Sequence, residues 1–382
     1  MNTKTKNQRR VFLRKLGFGL GALVVTPFIG NSKNKIKPNK NMSSKNKIHS
    51  IKPLGFQWET ADPFLFCVHH EDKYPAGNHE MGPVSSLEGR HIGQDFIIKD
   101  GWRMYHGERV PGFPGHPHRG FETITVVREG IVDHADSLGA SGRYGNGDVQ
   151  WMTAGSGVQH SEMFPLINED KENPLELFQI WLNLPRKNKM TEPHFKMLWN
   201  DSIPVIKTKD ANGIYSKIEI ITGTLNGHSA PTPPPGSWAF DTENEVGILN
   251  IQIDANGTYT LPKTSFESNR TLYFYQGTNL IIDETVIPEY HGVVVDPSEE
   301  LTLKNNSTEP IKILILQGKP INEPVVQHGP FVMNSREEIQ EAFDDYHRTQ
   351  FGGWPWPKYD QVHERSLGRF AKHADGKLET KG

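Results

Sequence analysis

Short runs in which apolar and polar residues alternate fill most of the chain after residue 50, and glycine-rich turns separate them. A period of two is typical of β-strands that bury one face. In the first half the runs predict strands over 64–68, 121–127, 131–135, 148–153 and 175–184. In the second half they predict strands over 205–206, 218–221, 246–253, 259–261, 271–275, 279–282, 292–295 and 311–316. The regular spacing predicts an all-β fold in which a second barrel or sandwich follows the first.

A helical pattern follows the last predicted strand. Ser335 and Glu338 have the capping-box spacing that starts helices. The apolar residues after them recur at helical intervals and would form one face: Ile339, Ala342, Phe343 and Tyr346. We therefore predict a short C-terminal helix that packs on a barrel. The last 20 residues are polar, and we expect them to be loosely ordered.

Two pairs of metal-binding residue types, each with a spacing of two, lie among the predicted strands. His116 and His118 point to the same face of a strand, about 7 Å apart along it. His160 and Glu162 repeat this spacing 42 residues after His118. In a compact all-β domain such a separation brings two strands back to line one barrel interior. Three neutral imidazoles and a carboxylate would suit a divalent transition metal and leave positions open for substrate or oxygen.

These motifs resemble the pirin family, a branch of the cupin superfamily. The residues that carry the resemblance are His116-Pro-His118-Arg-Gly-Phe-Glu122-Thr, Gly147-Asp-Val-Gln-Trp-Met-Thr-Ala-Gly-Ser-Gly-Val-Gln-His160-Ser-Glu162-Met and Glu323-Pro-Val-Val-Gln-His328-Gly-Pro-Phe-Val-Met-Asn334. The resemblance implies two tandem cupin barrels (double-stranded β-helix or jelly-roll), with iron in the N-terminal one. It implies a metal-binding cupin domain over 51–184, a metal-free cupin domain over 205–334, and a helix and tail over 335–382.

The iron ligands that the resemblance implies are His116, His118, His160 and Glu162. The wider cupin pattern instead takes its carboxylate from the position of Glu122. Because Glu122 shares strand parity with the histidines, it stays open as an alternative ligand or as a residue that supports the ligands from behind. Fe(II) is the expected metal, although imidazole and carboxylate also suit Mn, Ni, Cu and Zn.

The resemblance also implies an activity. Family members similar to this chain open flavonols such as quercetin with two oxygen atoms. The expected function is therefore an iron-dependent dioxygenase that takes O2 and a flavonol or a related enol or catechol. Glu162 would be the catalytic residue, since it could take the substrate hydroxyl proton as well as bind the ion. Two alternatives stay open: an iron-dependent redox sensor that binds a partner without turnover, and a Zn or Ni cupin of isomerase or storage type.

The first 48 residues are strongly basic, with 12 Lys and Arg and no Asp or Glu. Arg9 and Arg10 precede a largely apolar stretch over 16–30 that is too short for a comfortable membrane span. This order is typical of a twin-arginine signal, with a disordered basic tail as the alternative. It predicts export of the folded protein to a bacterial periplasm, with no transmembrane domain beyond the signal.

Charge and cysteine content limit which kinds of binding partner and which disulfides are expected. After residue 48 the chain has 30 basic and 45 acidic residues, and such an acidic body repels nucleic acid. We expect a monomer whose partners are small molecules. Cys67 is the one cysteine, so no intrachain disulfide forms, and its apolar neighbours predict a buried core position.

Two further features lie near the start of the first barrel. His69 and His70 cannot both serve one ion from a strand, because neighbouring residues face opposite ways. We expect a surface turn or a contact at the barrel rim for them. The glycine-rich stretch 75–112 has few apolar runs and is expected to form long loops over the barrel mouth.

Overall fold

The alternating runs form strands in the computed structural model, which describes residues 47–382. The twin-arginine signal predicted at Arg9 and Arg10 lies outside these residues. The strands of the first half are β1 (Ile48–Pro53), β2 (Gln57–Trp58), β3 (Phe64–Tyr74), β4 (Gly112–His118), β5 (Phe121–Glu129), β6 (Ile131–Asp136), β7 (Ser141–Gly145), β8 (Val149–Thr153), β9 (Val158–Met163), β10 (Asn173–Asn183) and β11 (His194–Leu198). Those of the second half are β12 (Val205–Lys209), β13 (Tyr215–Thr222), β14 (Thr224–Leu225), β15 (His228–Ser229), β16 (Gly247–Ile253), β17 (Thr258–Leu261), β18 (Asn269–Gln276), β19 (Leu280–Ile282), β20 (Thr285–Ile287), β21 (His291–Val295), β22 (Leu301–Asn305), β23 (Ile311–Gly318), β24 (Val326–His328) and β25 (Phe331–Met333). Helix α1 (Arg336–Thr349) and strands β26 (Arg369–Lys372) and β27 (Leu378–Lys381) complete the described chain.

Two antiparallel sheets form the first barrel. One has the strand order β11-β8-β5-β10-β3-β2, and the other has the order β27-β26-β7-β6-β9-β4. Apolar side chains from both sheets, among them Leu177 from the first and Tyr144 from the second, share one buried core. The loop stretch after β3 adds Trp102 and Tyr105 to that core. Strand β4, with His116 and His118, is the edge of its sheet, and β9, with His160 and Glu162, lies between β4 and β6.

The second barrel has a seven-stranded sheet, β1-β21-β18-β23-β16-β13-β12, and a four-stranded sheet, β17-β22-β19-β20. Its own core contains Ile251 and Leu303, one from each sheet. A further apolar cluster joins the two barrels, where Phe178 of the first packs with Leu314 of the second. Cys67 is buried in this joining cluster, as predicted. The prediction of an all-β protein with two tandem barrels and a short C-terminal helix is confirmed.

Helix α1 begins at the predicted capping box. The Ser335 side chain accepts from the Glu338 backbone N–H, and the Glu338 side chain accepts from the Ser335 N–H. Ile339, Ala342 and Tyr346 are the buried residues of the helix, in agreement with the predicted face. The Tyr346 hydroxyl donates to Gln159 Oε1 of β9 at 3.0 Å. The helix therefore packs on the first barrel, next to the strand that carries His160. No helix in the described part of the chain has the length and apolar character needed to cross a membrane.

The expectation of a loosely ordered end is wrong. Strand β26 pairs with β7 and with β27, so the last residues extend a sheet of the first barrel. Arg143 of β7 is buried and donates to the backbone oxygens of His363, Glu364 and Leu367. Trp356 Nε1 donates to the Asp136 backbone oxygen of β6 at 2.7 Å. The prediction failed because it was based on polar composition. Hydrogen bonds of backbone groups hold this segment, and a hydropathy pattern does not reveal them.

Candidate metal centre

Two neighbouring strands bring three histidines together. In the pairing of β4 with β9, His116 lies directly opposite His160. The ring centroids are 4.5 Å apart for His116 and His160, 4.8 Å for His116 and His118, and 5.0 Å for His118 and His160. One nitrogen of each ring lies within 4.8 Å of those of the other two. The structure thus places three of the four predicted residues where they can bind one ion.

Backbone oxygens orient two of the three imidazoles. His116 Nδ1 lies 3.0 Å from the Pro114 oxygen, and His118 Nδ1 lies 3.4 Å from the Pro330 oxygen. A carbonyl only accepts, so both Nδ1 atoms carry the proton and both Nε2 atoms keep a lone pair. Such a hydrogen bond behind a ligand fixes its tautomer and ring orientation in metal sites. Pro330 belongs to the Glu323–Asn334 motif, which explains how that distant stretch contributes to the site.

Burial keeps the three imidazoles neutral. It lowers the pKa of His116 to about 4, and it lowers the pKa values of His118 and His160 well below the ordinary 6.5. The neighbouring histidines lower the pKa of His160 further, because adjacent positive charges would repel. Metal binding requires unprotonated imidazole. The site therefore needs no proton release from these rings to accept an ion near neutral pH.

Glu162 lies beside the three histidines. Its Oε1 accepts from Thr125 Oγ1 at 2.7 Å, and its Oε2 accepts from Gln179 Nε2 at 3.2 Å. Oε2 is also 3.8 Å from His160 Nε2. Burial raises the pKa of this carboxyl, while the Thr125 hydrogen bond and the nearby His134 act against that rise. Glu162 is thus held next to the cluster by two side chains of the opposite sheet.

Glu122 points away from the histidines. Thr125 of β5 reaches Glu162, whereas Ile124 and Val126, which share the parity of Glu122, lie in the cluster between the barrels. The Glu122 oxygens accept from Thr153 Oγ1 at 2.7 Å and from Ser237 Oγ at 2.6 Å. The expectation that Glu122 shares a face with His116 and His118 is wrong. Its physical reason is the turn at Gly120, with φ of 85°, which separates β4 from β5 and resets the alternation.

We expect Glu122→Gln to flatten the pH dependence of stability in mildly acidic solution. Burial raises the pKa of Glu122 from 4.5 to about 7. Between these values the folded protein holds a proton that the unfolded chain has lost, so the unfolding free energy falls as pH rises. Over the whole window this loss amounts to about 3 kcal/mol. Urea unfolding at the two ends of the window, in both proteins, measures it; equal losses in wild type and variant would contradict the assignment.

Two further polar residues reach the site, and neither was predicted from the sequence. In the pairing of β6 with β9, His134 lies opposite Glu162 and Asp136 lies opposite His160. His134 Nε2 is 3.2 Å from Asp136 Oδ2, and both side chains are fully buried. The His134 ring centroid is 5.5 Å from that of His160. A signal was present, because His134 and Asp136 have the same spacing of two as the recognised pairs.

His69 and His70 do not form a surface turn. Both lie within β3 and are buried, so the expectation of a turn or rim contact is wrong. They face opposite sides, as strand alternation requires. His69 stacks on Phe178 between the barrels, with ring centroids 4.8 Å apart. His70 faces the interior of the first barrel, where its Nδ1 lies 2.7 Å from the Tyr105 hydroxyl. The strand is longer than predicted because its polar residues find partners inside the protein.

Comparison with known families matches both barrels. The model of the Pirin family matches residues 51–182, and the model of the pirin C-terminal cupin domain matches residues 248–352. The three histidines and Glu162 lie in the first matched segment, and Pro330 lies in the second. The segment after residue 352, including β26 and β27, lies beyond both matches.

Individual relatives agree with this match. A Pseudomonas aeruginosa protein named "Putative quercetin 2,3-dioxygenase" is 34% identical over 291 residues, covering 72% of this chain and 95% of the relative. A pirin-like protein of Solanum lycopersicum is 37% identical over 239 residues, covering 62% of this chain and 75% of the relative. A crystal structure of quercetin 2,3-dioxygenase from Acinetobacter baumannii superposes with a TM-score of 0.62 at 26% identity, covering 80% of this chain and 98% of that chain. The similarity therefore extends over both barrels.

Proposed function

The chain belongs to the pirin family, and from its metal centre we propose that it is a non-haem iron dioxygenase that opens flavonols or related enols and catechols with O2. The observation that carries the proposal is the convergence of three neutral imidazoles, two of them buried and one partly exposed, beside one carboxylate. The names of the two quercetin dioxygenase relatives support the substrate class. Imidazole and carboxylate favour a borderline transition metal, and among those Fe(II) is the metal we propose.

The residues fit an ion by an independent criterion. Both ring nitrogens of His160 are buried and have no hydrogen-bond partner among residues 47–382. Buried polar atoms normally have a partner, and an ion at this position would take the lone pair of one of the two nitrogens. His116, His118, His160 and Glu162 would hold the ion. When bound, it would supply Lewis-acid and one-electron chemistry that lets a spin-paired organic substrate react with O2.

Side chains of the protein would accept the substrate proton, orient the ligands and determine where substrate enters. Glu162 Oε2 would accept the hydroxyl proton of the substrate, since this oxygen lies nearer His160 and its bond to Gln179, at 3.2 Å, is longer than the 2.7 Å bond of Oε1 to Thr125. Trp181 packs against His118, with ring centroids 5.4 Å apart, and so limits the rotation of that imidazole. His116 is partly exposed, whereas His118 and His160 are buried, so substrate would arrive on the His116 side.

The experiment that tests the function is metal analysis combined with oxygen uptake. The protein is purified without chelator or immobilised nickel, its metal content is measured, and uptake is followed with quercetin and with a catechol. We expect stoichiometric iron and substrate-dependent uptake. An iron-loaded protein that consumes no oxygen with any flavonol or catechol would overturn the proposal. Bound iron without uptake would favour the redox-sensing alternative instead.

We expect Glu162→Gln to slow oxygen uptake with quercetin by about 10²-fold to 10⁴-fold, because the amide cannot take the hydroxyl proton. Gln has the shape of Glu and can still accept from Thr125, so the fold should be unchanged. Uptake rates are measured at equal iron occupancy, which distinguishes the effect of losing the proton acceptor from the effect of losing metal. Gln179→Glu is not a suitable control, because it would place a second charge beside the site; Glu176→Gln, on the other face of β10, is the matched control. Equal rates for Glu162→Gln and wild type would exclude Glu162 as the base.

The predicted export signal indicates the compartment in which the enzyme would act. Twin-arginine export carries folded proteins, so we propose that the metal is loaded in the cytoplasm and that the enzyme acts in the periplasm. The absence of a second cysteine means that the oxidising compartment would form no intrachain disulfide.

A further inference from the structure

A row of aromatic side chains leads from solvent to His116. Phe113 has its ring centroid 6.3 Å from that of His116, and Phe96 lies 6.3 Å from Phe113. Phe56 follows at 6.3 Å from Phe96 and is 42% exposed. Phe96 and Phe113 are partly exposed. A planar aromatic molecule can stack on such rings with a favourable energy beyond the burial of its area.

His70 forms the wall behind these rings. Its ring centroid is 5.9 Å from that of Phe56 and 6.1 Å from that of Phe113. In the pairing of β3 with β10, His70 lies opposite Leu177, one step along the same face from the pair of Val68 with Gln179. Gln179 holds Glu162 of the metal centre. His70 therefore belongs to the same interior surface as the metal centre, although it takes no part in the cluster of histidines.

A buried chain of hydrogen bonds determines the tautomer of His70. Arg103 binds both oxygens of Asp72, at 2.9 Å and 3.0 Å, and this two-point contact favours the ionised carboxylate. The Tyr105 hydroxyl donates to Asp72 Oδ2 at 2.6 Å, so its oxygen is left to accept from His70 Nδ1. The proton of the neutral imidazole is thus on Nδ1, and Nε2 has a lone pair.

The Nε2 lone pair of His70 is available to a ligand as far as the described residues are concerned. Across residues 47–382, Nε2 has no hydrogen-bond partner, although the side chain is only 4% exposed. Nδ1 faces the hydroxyl of the fully buried Tyr105, so Nε2 lies at the end of the ring away from that hydroxyl. Nε2 is not fully enclosed, so a donor group of an incoming ligand can reach its lone pair.

The residue that binds His70, Tyr105, has an unfavourable backbone conformation. Its backbone has a φ of 56°, in the left-handed region that bulky residues seldom adopt. Its hydroxyl connects His70 to Asp72, and its ring packs 5.1 Å from that of Phe113. Unfavourable backbone conformations of this kind persist where the surroundings determine them, and they are concentrated at functional sites.

We propose that His70 Nε2 accepts a hydrogen bond from a phenolic hydroxyl of the substrate, on a part of the molecule remote from the metal, while Phe56, Phe96 and Phe113 contact its aromatic rings. This inference rests on the proposed function and deepens it. It makes the enzyme selective for polyhydroxylated flavonols over those that carry only the hydroxyl next to the ketone. His70 is a specificity-determining residue in this scheme, and the Tyr105, Asp72 and Arg103 side chains position it.

The test compares two ligands in four proteins. Quercetin has hydroxyls on its outer rings, and 3-hydroxyflavone has only the one beside the ketone. Their affinities are measured by fluorescence titration with iron-loaded protein under argon, so that no turnover occurs. The proteins are wild type, His70→Asn, His70→Gln and His69→Asn. Asn places its amide where Nδ1 was and keeps the bond to Tyr105, whereas Gln extends its amide to the position of Nε2. His69→Asn is the matched control, because it is the same substitution on the opposite face of β3.

We expect wild type and His69→Asn to bind quercetin more tightly than 3-hydroxyflavone, by roughly threefold to tenfold, which is the range for one hydrogen bond. In His70→Asn the ratio should fall to about one third of the wild-type value or less, and in His70→Gln it should recover in part. An unchanged ratio in His70→Asn, with oxygen uptake intact, overturns the inference about His70 and leaves the proposed function standing. Failure of wild type to bind either flavonol overturns both.

Discussion

Replacing His160 with alanine is expected to produce a folded protein that neither retains iron nor consumes oxygen with quercetin. Within residues 47–382 neither ring nitrogen of His160 has a hydrogen-bond partner, and its ring centroid lies 4.5 Å from that of His116 and 5.0 Å from that of His118. Removing groups that only support a ligand already weakens metal binding by about 10-fold to 100-fold, so loss of the ligand itself should exceed that. Iron content after dialysis, and the dissociation constant from a metal titration, measure the effect.

The fold should survive this substitution, which makes the loss of metal informative. His160 makes no side-chain hydrogen bond to other described residues, so alanine leaves no polar group without its partner. His69→Ala serves as the matched control, because His69 is a buried histidine of the same barrel that faces the second barrel instead of the site. We expect that variant to retain iron. Full iron occupancy in His160→Ala would remove the basis for the proposed centre.

The sequence predicted the centre because its signals are local. A spacing of two in a strand determines that His116 and His118, or His160 and Glu162, share a face, and this requires no knowledge of the rest of the fold. The same rule failed for Glu122, four residues after His118, because the turn at Gly120 interrupts the alternation. Parity arguments therefore hold within one strand and do not extend across a turn, even where the intervening residues have strong β preference.

Residues brought to the site by strand pairing were harder to predict. His134 and Asp136 reach the histidines because β6 pairs with β9 in one particular register. His70 reaches the interior surface of the first barrel because β3 continues to Tyr74, several residues beyond the apolar run that predicted it. Register and strand length depend on partners that are distant in sequence, such as Tyr105 for His70. Hydropathy alone therefore underestimates a strand whose polar side chains are satisfied inside the barrel.

Replacing Arg143 with methionine is expected to lower the free energy of unfolding, because Arg143 holds the C-terminal segment. Arg143 is 2% exposed, and its guanidinium binds both oxygens of Asp133, at 2.7 Å and 2.8 Å. It also donates to backbone oxygens of residues 363–367, which hold the C-terminal segment against β7. Arg143→Met would leave Asp133 charged and buried without its counter-ion. Removing one partner of a buried ion pair typically costs about 3–5 kcal/mol, and we expect an unfolding free energy lower by that amount in urea titrations.

A second substitution separates the buried charge from the loss of packing. In the double variant Arg143→Met with Asp133→Asn, no uncompensated carboxylate remains, and the asparagine oxygen can still accept from the His363 N–H that Asp133 now binds at 2.8 Å. We therefore expect the double variant to recover a substantial part of the lost stability. Limited proteolysis provides an independent measurement, since weaker attachment should expose the segment after residue 352 to cleavage in Arg143→Met. If Arg143→Met unfolds at the wild-type urea concentration and resists cleavage equally, the guanidinium is not what secures this segment, and the pairing of β26 with β7 must be sufficient by itself.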